Sequence, residues 1–207
     1  MTVHTTAVDI SAVARVLGIE TKFVDLRAGQ VTFLPQRVVL LGQGRSDAVY
    51  DTAKRQVTSS LEVGQTYGFG SPLHIAALQL LPATGGGLGT VPLTILPLED
   101  DATGIASVGD VTGVGAQVSA GAYRVVVNGI KSNQFVIAAT EAFADVADDV
   151  AYAINAILEM PVTAVNNAGT VELTSKWKGE SANSIVVEID GVEDRLKSRF
   201  GWGLNVP

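Results

Sequence analysis

Apolar residues in this chain fall into short runs whose spacing shifts between the pattern of strands and that of helices. Val13, Val16, Leu17, Ile19, Phe23 and Val24 open the pattern, and Ile19 to Leu26 reads as a strand. Arg37 to Leu41 is a continuous β-branched and leucine run between Pro35 and Gly42, which predicts a strand buried on both faces. Residues 46–66 are mixed and polar, with a break expected at Gly64. A helix is expected to start at Ser71-Pro72-Leu73, since serine caps an N-terminus and proline at the first helical position loses no needed hydrogen bond. Leu73, Ala76, Ala77 and Leu80 share its apolar face, and Pro82 stops it after Leu81. Val91 to Leu98 reads as another strand, whose Pro92 and Pro97 suit an edge position or the strand ends. Residues 31–98 therefore have the strand, helix, strand order of a β-α-β unit.

At Glu99-Asp100-Asp101 the composition changes, and residues 102–121, rich in Gly, Ala, Ser, Thr and Val, read as weak strands and turns. Tyr123 to Val127 and Phe135 to Ala138 form a hairpin across Asn128-Gly129, a pair that accepts the positive φ such turns require. The strongest helical pattern follows. Phe143, Val146, Val150, Ile154, Ile157 and Leu158 recur at three- and four-residue steps, with Asp145, Asp148 and Asp149 between them. Thr140 is expected to cap this helix, with Glu141 in the first turn and Pro161 past its end. Strands are expected at Val162 to Val165, Val171 to Thr174 and Ile185 to Ile189, so residues 122–190 read as a compact α+β domain. After Gly191 the chain turns charged, and it carries no internal repeat.

Composition narrows the class. The chain has 207 residues, 47% of them hydrophobic and only 17% charged, which is too apolar for disorder. A net charge of -7 repels phosphate backbones and argues against nucleic-acid binding by a basic surface. No cysteine is present, so disulfides, thiolate metal sites and cysteine nucleophiles are excluded. The opening Met-Thr-Val-His-Thr-Thr lacks the basic start and apolar core of a signal peptide. No apolar run approaches the roughly 20 residues that span a bilayer, so a soluble protein made in the cytoplasm is expected.

Each candidate for chemistry has a plainer reading. Gly42-Gln43-Gly44 follows a strand, but Asp47 stands where a dinucleotide loop needs its third glycine, so a strand-ending turn is favoured. Gly68-Phe69-Gly70-Ser71 precedes a helix without a Walker lysine, which favours a loop-to-helix joint over an anion site. His4 lies in the polar start and His74 in the first turn of a helix, with no metal-binding spacing between histidines. Asp148 and Asp149 are neighbours on a helix, so their carboxylates diverge. Glu99, Asp100 and Asp101 lack the spacing of a calcium loop and read as a solvated linker. Trp177 and Trp202 lie beside glycines and suit either an interface anchor or an ordinary packed aromatic. No catalytic, cofactor-binding or metal-ligating residue is therefore expected, and no cofactor.

Several stretches resemble the N-terminal part of the tail sheath subunit of Mu-like contractile phages. They are Val16 to Leu26, with Leu17-Gly18-Ile19-Glu20 where the family favours Pro-Gly-Val-Tyr, then Leu34-Pro-Gln-Arg-Val-Val-Leu-Leu-Gly-Gln-Gly44, and then Gly68-Phe-Gly-Ser-Pro-Leu-His-Ile-Ala-Ala-Leu78. Further on, Gly121 to Ile130, Ala151 to Ile157, Pro161-Val-Thr-Ala164 and Val171 to Ile185 are similar to the family's inserted domain, in the family's order. The resemblance implies an N-terminal arm at 1–20, a partial sheath core at 21–99, an inserted β-rich α+β domain with one amphipathic helix at 100–190, and a return segment at 191–207. It implies no enzyme. A sheath subunit stacks helically around a tail tube and contracts to drive the tube through the host envelope. The implied partners are other sheath subunits joined by terminal-arm strand exchange, the tube protein, the baseplate and the tail terminator, with neither nucleic acid nor membrane. Its location would be the virion, after assembly in the host cytoplasm. Family members continue into a C-terminal half, so the expectation is a truncated chain or an unusually short relative. Another tail or baseplate module, such as a tube or adhesin-like part, is the alternative, ahead of a nucleotide-binding enzyme.

Overall fold

A computed structural model describes residues 37–85, 87–89, 91–113, 120–191 and 196–200, the last five by backbone alone. The expected arm at 1–20, the strand at Ile19–Leu26, His4 and Trp202 lie outside the described residues. The architecture is α+β, with helices accompanied by sheets of three and four strands.

The first sheet has the order β1-β3-β2, from β1 (Val38–Gln43), β2 (Arg55–Val57) and β3 (Leu93–Leu98). Strands β1 and β3 are parallel, and β2 is antiparallel to β3. Helices α1 (Ser60–Tyr67) and α2 (Pro72–Leu80) lie between β2 and β3 in sequence. Their Val63, Tyr67, Leu73 and Ala77 form a core with Val57, Leu93 and Ile95. Ser71 caps α2 as expected, its side chain accepting from the His74 N–H.

Two expectations for this half are corrected and a third is narrowed. Helix α1 lies where a polar stretch was expected, and Gly64 sits inside it rather than breaking it. Ser59 caps it by accepting from the Glu62 N–H at 3.2 Å, and Glu62 accepts in turn from Thr58 N–H at 3.2 Å. Gly64 is needed there because a β-carbon would press on the rings of Phe69 and His74. Of the two placements open to the prolines of β3, the strand ends hold: β3 is central, Pro92 just precedes it and Pro97 is its last residue but one. Val38 N–H donates to the Pro92 carbonyl, so β3 turns the amides of Thr94, Leu96 and Leu98 toward β1 and position 97 the other way. On that side β2 pairs only as far as Arg55 opposite Ile95, so Pro97 removes no ladder bond. Finally, β1 packs on one face only, through half-buried Val38 and Leu40: Val39 and Leu41 are 53% and 57% exposed. The helices cover one side of the sheet; on the other, Val39, Leu41, Leu96 and Leu98 are exposed, while Gln43 at the end of β1 bonds to Lys178 and Ser181.

The second half has two four-stranded sheets around one helix. One has the order β11-β4-β9-β8, from β4 (Ala106–Gly113), β8 (Val162–Asn167), β9 (Thr170–Lys178) and β11 (Leu196–Phe200). In the other, β5 (Gly121–Val127) lies between β10 (Val187–Gly191) and the short strands β6 (Ile130–Lys131) and β7 (Phe135–Ile137). Helix α3 (Phe143–Asn155) presents Val146, Val150 and Ile154 to a core shared with Val111, Tyr123, Ile137 and Leu173. Strand β4 is longer than its weak pattern suggests; its inward positions Ser107, Gly109 and Val111 are small enough to lie flat under the core. Thr140 does not cap α3. It has φ +66, and Ala142 is the capping residue, without a side-chain bond. Glu141 accepts from Ala138 N–H at 2.7 Å, holding the approach to the helix instead. The helix stops at Asn155, whose side chain leaves the helical path to bond both the N–H and the carbonyl of Ala164.

The Asn128-Gly129 turn forms as expected, with φ of +48 and +81. Asn128 Oδ1 also accepts from Val186 N–H at 2.8 Å, tying the turn to the start of β10. Asn128→Ala should lower the unfolding free energy by roughly 1–2 kcal/mol, because alanine tolerates the left-handed backbone poorly and leaves Val186 N–H without that acceptor. A shift of the urea midpoint at unchanged slope would register it.

Candidate functional site

Among the described residues, those singled out in sequence converge, with one exception, on the seam between the two cores. Gly42-Gln43-Gly44 ends β1, and Glu99-Asp100-Asp101 follows β3, so both lie at the carboxyl ends of the parallel pair. Gln43 is the link. Its Nε2 donates to Asp100 Oδ1 at 2.8 Å and to the Lys178 carbonyl at 3.1 Å, and its Oε1 accepts from Ser181 at 3.3 Å. Ser46 donates its hydroxyl to Asp100 and its N–H to the Lys176 carbonyl, the latter at 2.9 Å. A cleft of about 520 Å³ opens beside this network, lined by Gln43, Pro72, Glu99, Asp101, Trp177 and Ser181.

Crevices outside the carboxyl ends of parallel strands commonly bind ligands. Here the polar groups are spent on the protein itself. Asp101 accepts from Thr103 N–H at 2.7 Å and from its hydroxyl at 2.6 Å, bonds that hold its carboxyl below the usual range. The indole N–H of Trp177 donates to Ser181 at 3.0 Å, and its ring is buried in the second core. Gly44 directly follows the last residue of β1, and a β-carbon there would strike the Tyr50 ring. Of the acidic run, Asp100 fastens the seam, while Glu99 and Asp101 stay exposed as a linker would.

The Gly68-Phe69-Gly70 turn carries φ of +91 and +79 at its glycines. His74, one turn into α2, is buried; its Nδ1 accepts from Gly70 N–H at 3.1 Å, and its ring meets Phe69 edge-on. Burial lowers its pKa, Lys176 lowers it further, and Glu159 opposes. Lys176 was not singled out in sequence. Its Nζ donates to the Phe69 carbonyl at 3.3 Å and the Leu158 carbonyl at 3.1 Å, and burial pushes its pKa down to about 8. The exception is the Asp148-Asp149 pair, which is exposed on α3 away from the seam, with Asp148 bonded to Asn166 at 3.0 Å.

Among the described residues no group of three or more His, Asp or Glu side chains is placed to hold a metal ion. None of their helices is long and apolar enough to cross a membrane. Neither a family model nor a curated protein matches the chain.

The other feature that points outward is the open face of the first sheet. Val39, Leu41, Leu96 and Leu98, 36–57% exposed, stand together on it, with Leu41 opposite Leu96 in register. At its margin, among the described residues, only β3 pairs with β1. Val-Val-Leu-Leu-Gly-Gln carries none of the charges or prolines that usually blunt an edge strand.

Proposed function

We propose that this chain is the N-terminal part of a contractile tail sheath subunit of the Mu-like kind, a structural protein that performs no catalysis. The observation that carries the reading is the open apolar face and edge of the β1-β3-β2 sheet. Parallel strands are normally covered on both faces, and exposed Val39, Leu41, Leu96 and Leu98 beside an unblunted edge are a surface for more protein. The ordered resemblance over residues 16–190 supplies the identity of that protein: further sheath chain, and neighbouring sheath subunits.

In this reading residues 21–99 belong to the sheath core and residues 100–190 to the inserted domain. Copies stack helically around a tail tube between baseplate and terminator, in the virion. Terminal arms add strands to neighbouring sheets, where main-chain hydrogen bonds supply affinity. Contraction is a rigid-body shift between two sets of subunit contacts.

Leu41→Asp tests the role of the face. Leu41 is exposed, so the substitution should change the fold's own stability by no more than about 0.5 kcal/mol. Introduced into the product of the complete reading frame, it should abolish the large species seen in sedimentation velocity. Assembly identical to that of the unsubstituted protein would show that the face is not an assembly surface.

A further inference from the structure

The seam between the cores holds a device that the assembly reading does not use. The apolar cores themselves are separate clusters, one around Tyr67 and Leu73 and one around Ile154 and Leu173. What joins them is polar, and much of it passes through Lys176. Its Nζ reaches the Phe69 carbonyl on one side and the Leu158 carbonyl on the other. Its carbonyl accepts from Ser46 N–H at 2.9 Å, and its N–H donates to the Pro161 carbonyl at 3.0 Å. One residue thus grips the loop after β1, the 68–70 turn and the loop after α3.

The turn that supplies the Phe69 carbonyl is fixed by His74. An Nδ1 that accepts from Gly70 N–H carries no proton, so this bond exists only with the neutral imidazole. Protonation would set two donors facing each other inside a buried turn. The turn cannot yield toward the second half, because Gly70 already lies against the Met160 carbonyl.

We propose that this seam is a proton-controlled hinge, closed while His74 is neutral and loosened in acid, with the signal passing from His74 through Gly70 and the Phe69 carbonyl to Lys176. Glu159 and Lys176 are the charges that face His74. Arg45, Asp47 and Glu159 face Lys176. Burial dominates for both groups and disfavours the charged form of each. Closing the seam therefore releases protons, and acid favours opening. The His74 contribution is complete above the ordinary histidine value of about 6.5 and is lost as pH falls below it. Lys176, at about 8 in the closed seam, tightens it further only as pH climbs from there toward the ordinary lysine range.

Amide spectra and hydrogen-exchange protection of the whole chain, followed from neutral pH to pH ~5, test the hinge. Gly70 and Ser46 amides should move with one midpoint below the ordinary histidine value. Ser46 protection should fall about 10-fold or more, while Val125, deep in the second core, stays unchanged. His74→Gln offers an amide oxygen to Gly70 N–H without titrating, and should erase the acid response of Ser46. A Ser46 amide that ignores pH while Gly70 titrates would overturn the proposal, as would an acid response that survives in His74→Gln. The paired amides of the unsubstituted chain decide the matter even if the variant does not fold.

Discussion

Ile154→Ala should lower the unfolding free energy by about 3–4 kcal/mol. Ile154 has no exposed surface and sits on the last turn of α3, in the core shared by both four-stranded sheets. Truncation removes three carbons' worth of burial and leaves a cavity that β-sheet walls cannot easily close, since their spacing is set by main-chain hydrogen bonds. The loss should appear as a lower urea midpoint by far-UV circular dichroism. Ile157, which follows the helix and is only partly buried, should cost less when shortened in the same way.

Gly70→Ala should be nearly as damaging, at roughly 2–4 kcal/mol, by another route. Gly70 has φ +79, which strains any residue with a β-carbon. Its missing side chain also makes room for the Met160 carbonyl and for the Lys176 ammonium group. Alanine would push the 68–70 turn away from the second half and lengthen the Lys176 bond to the Phe69 carbonyl. Beyond the stability loss, Ser46 amide protection should fall at neutral pH, mimicking acid. A variant as stable as the parent would mean that the turn can move without consequence.

Much of the fold was legible where a local rule had no competitor. Ser71-Pro72, Asn128-Gly129 and the apolar stripe from Phe143 to Leu158 each specify a backbone geometry on their own, and each formed, the stripe as a helix only as far as Asn155. The misses have a common cause, which is that neighbours in space decide. Pro97 argued against a central strand, but the short reach of β2 removed the objection. Gly64 argued against a helix, but the rings of Phe69 and His74 require it there. The Ser59-x-x-Glu62 spacing did signal the start of α1 and was masked by the polar residues around it. The run Arg37 to Leu41 looked doubly buried because hydrophobicity alone does not say which partner covers a face. Lys176 escaped notice because nothing local distinguishes a lysine that bridges two carbonyls from one in water.

The seam residues fared in between. Glycines and carboxylates around positions 42–44, 68–70 and 99–101 stood out in sequence as ligand candidates. The glycines form turns and joints, and of the carboxylates Asp100 is fastened across the seam.

The central claim is that the chain belongs to a helical contractile sheath, and electron microscopy of negatively stained product of the complete reading frame tests it most directly. The account predicts stacked rings or helical tubes with a central channel wide enough for a tail tube. Monodisperse monomers that persist at every concentration examined would contradict it.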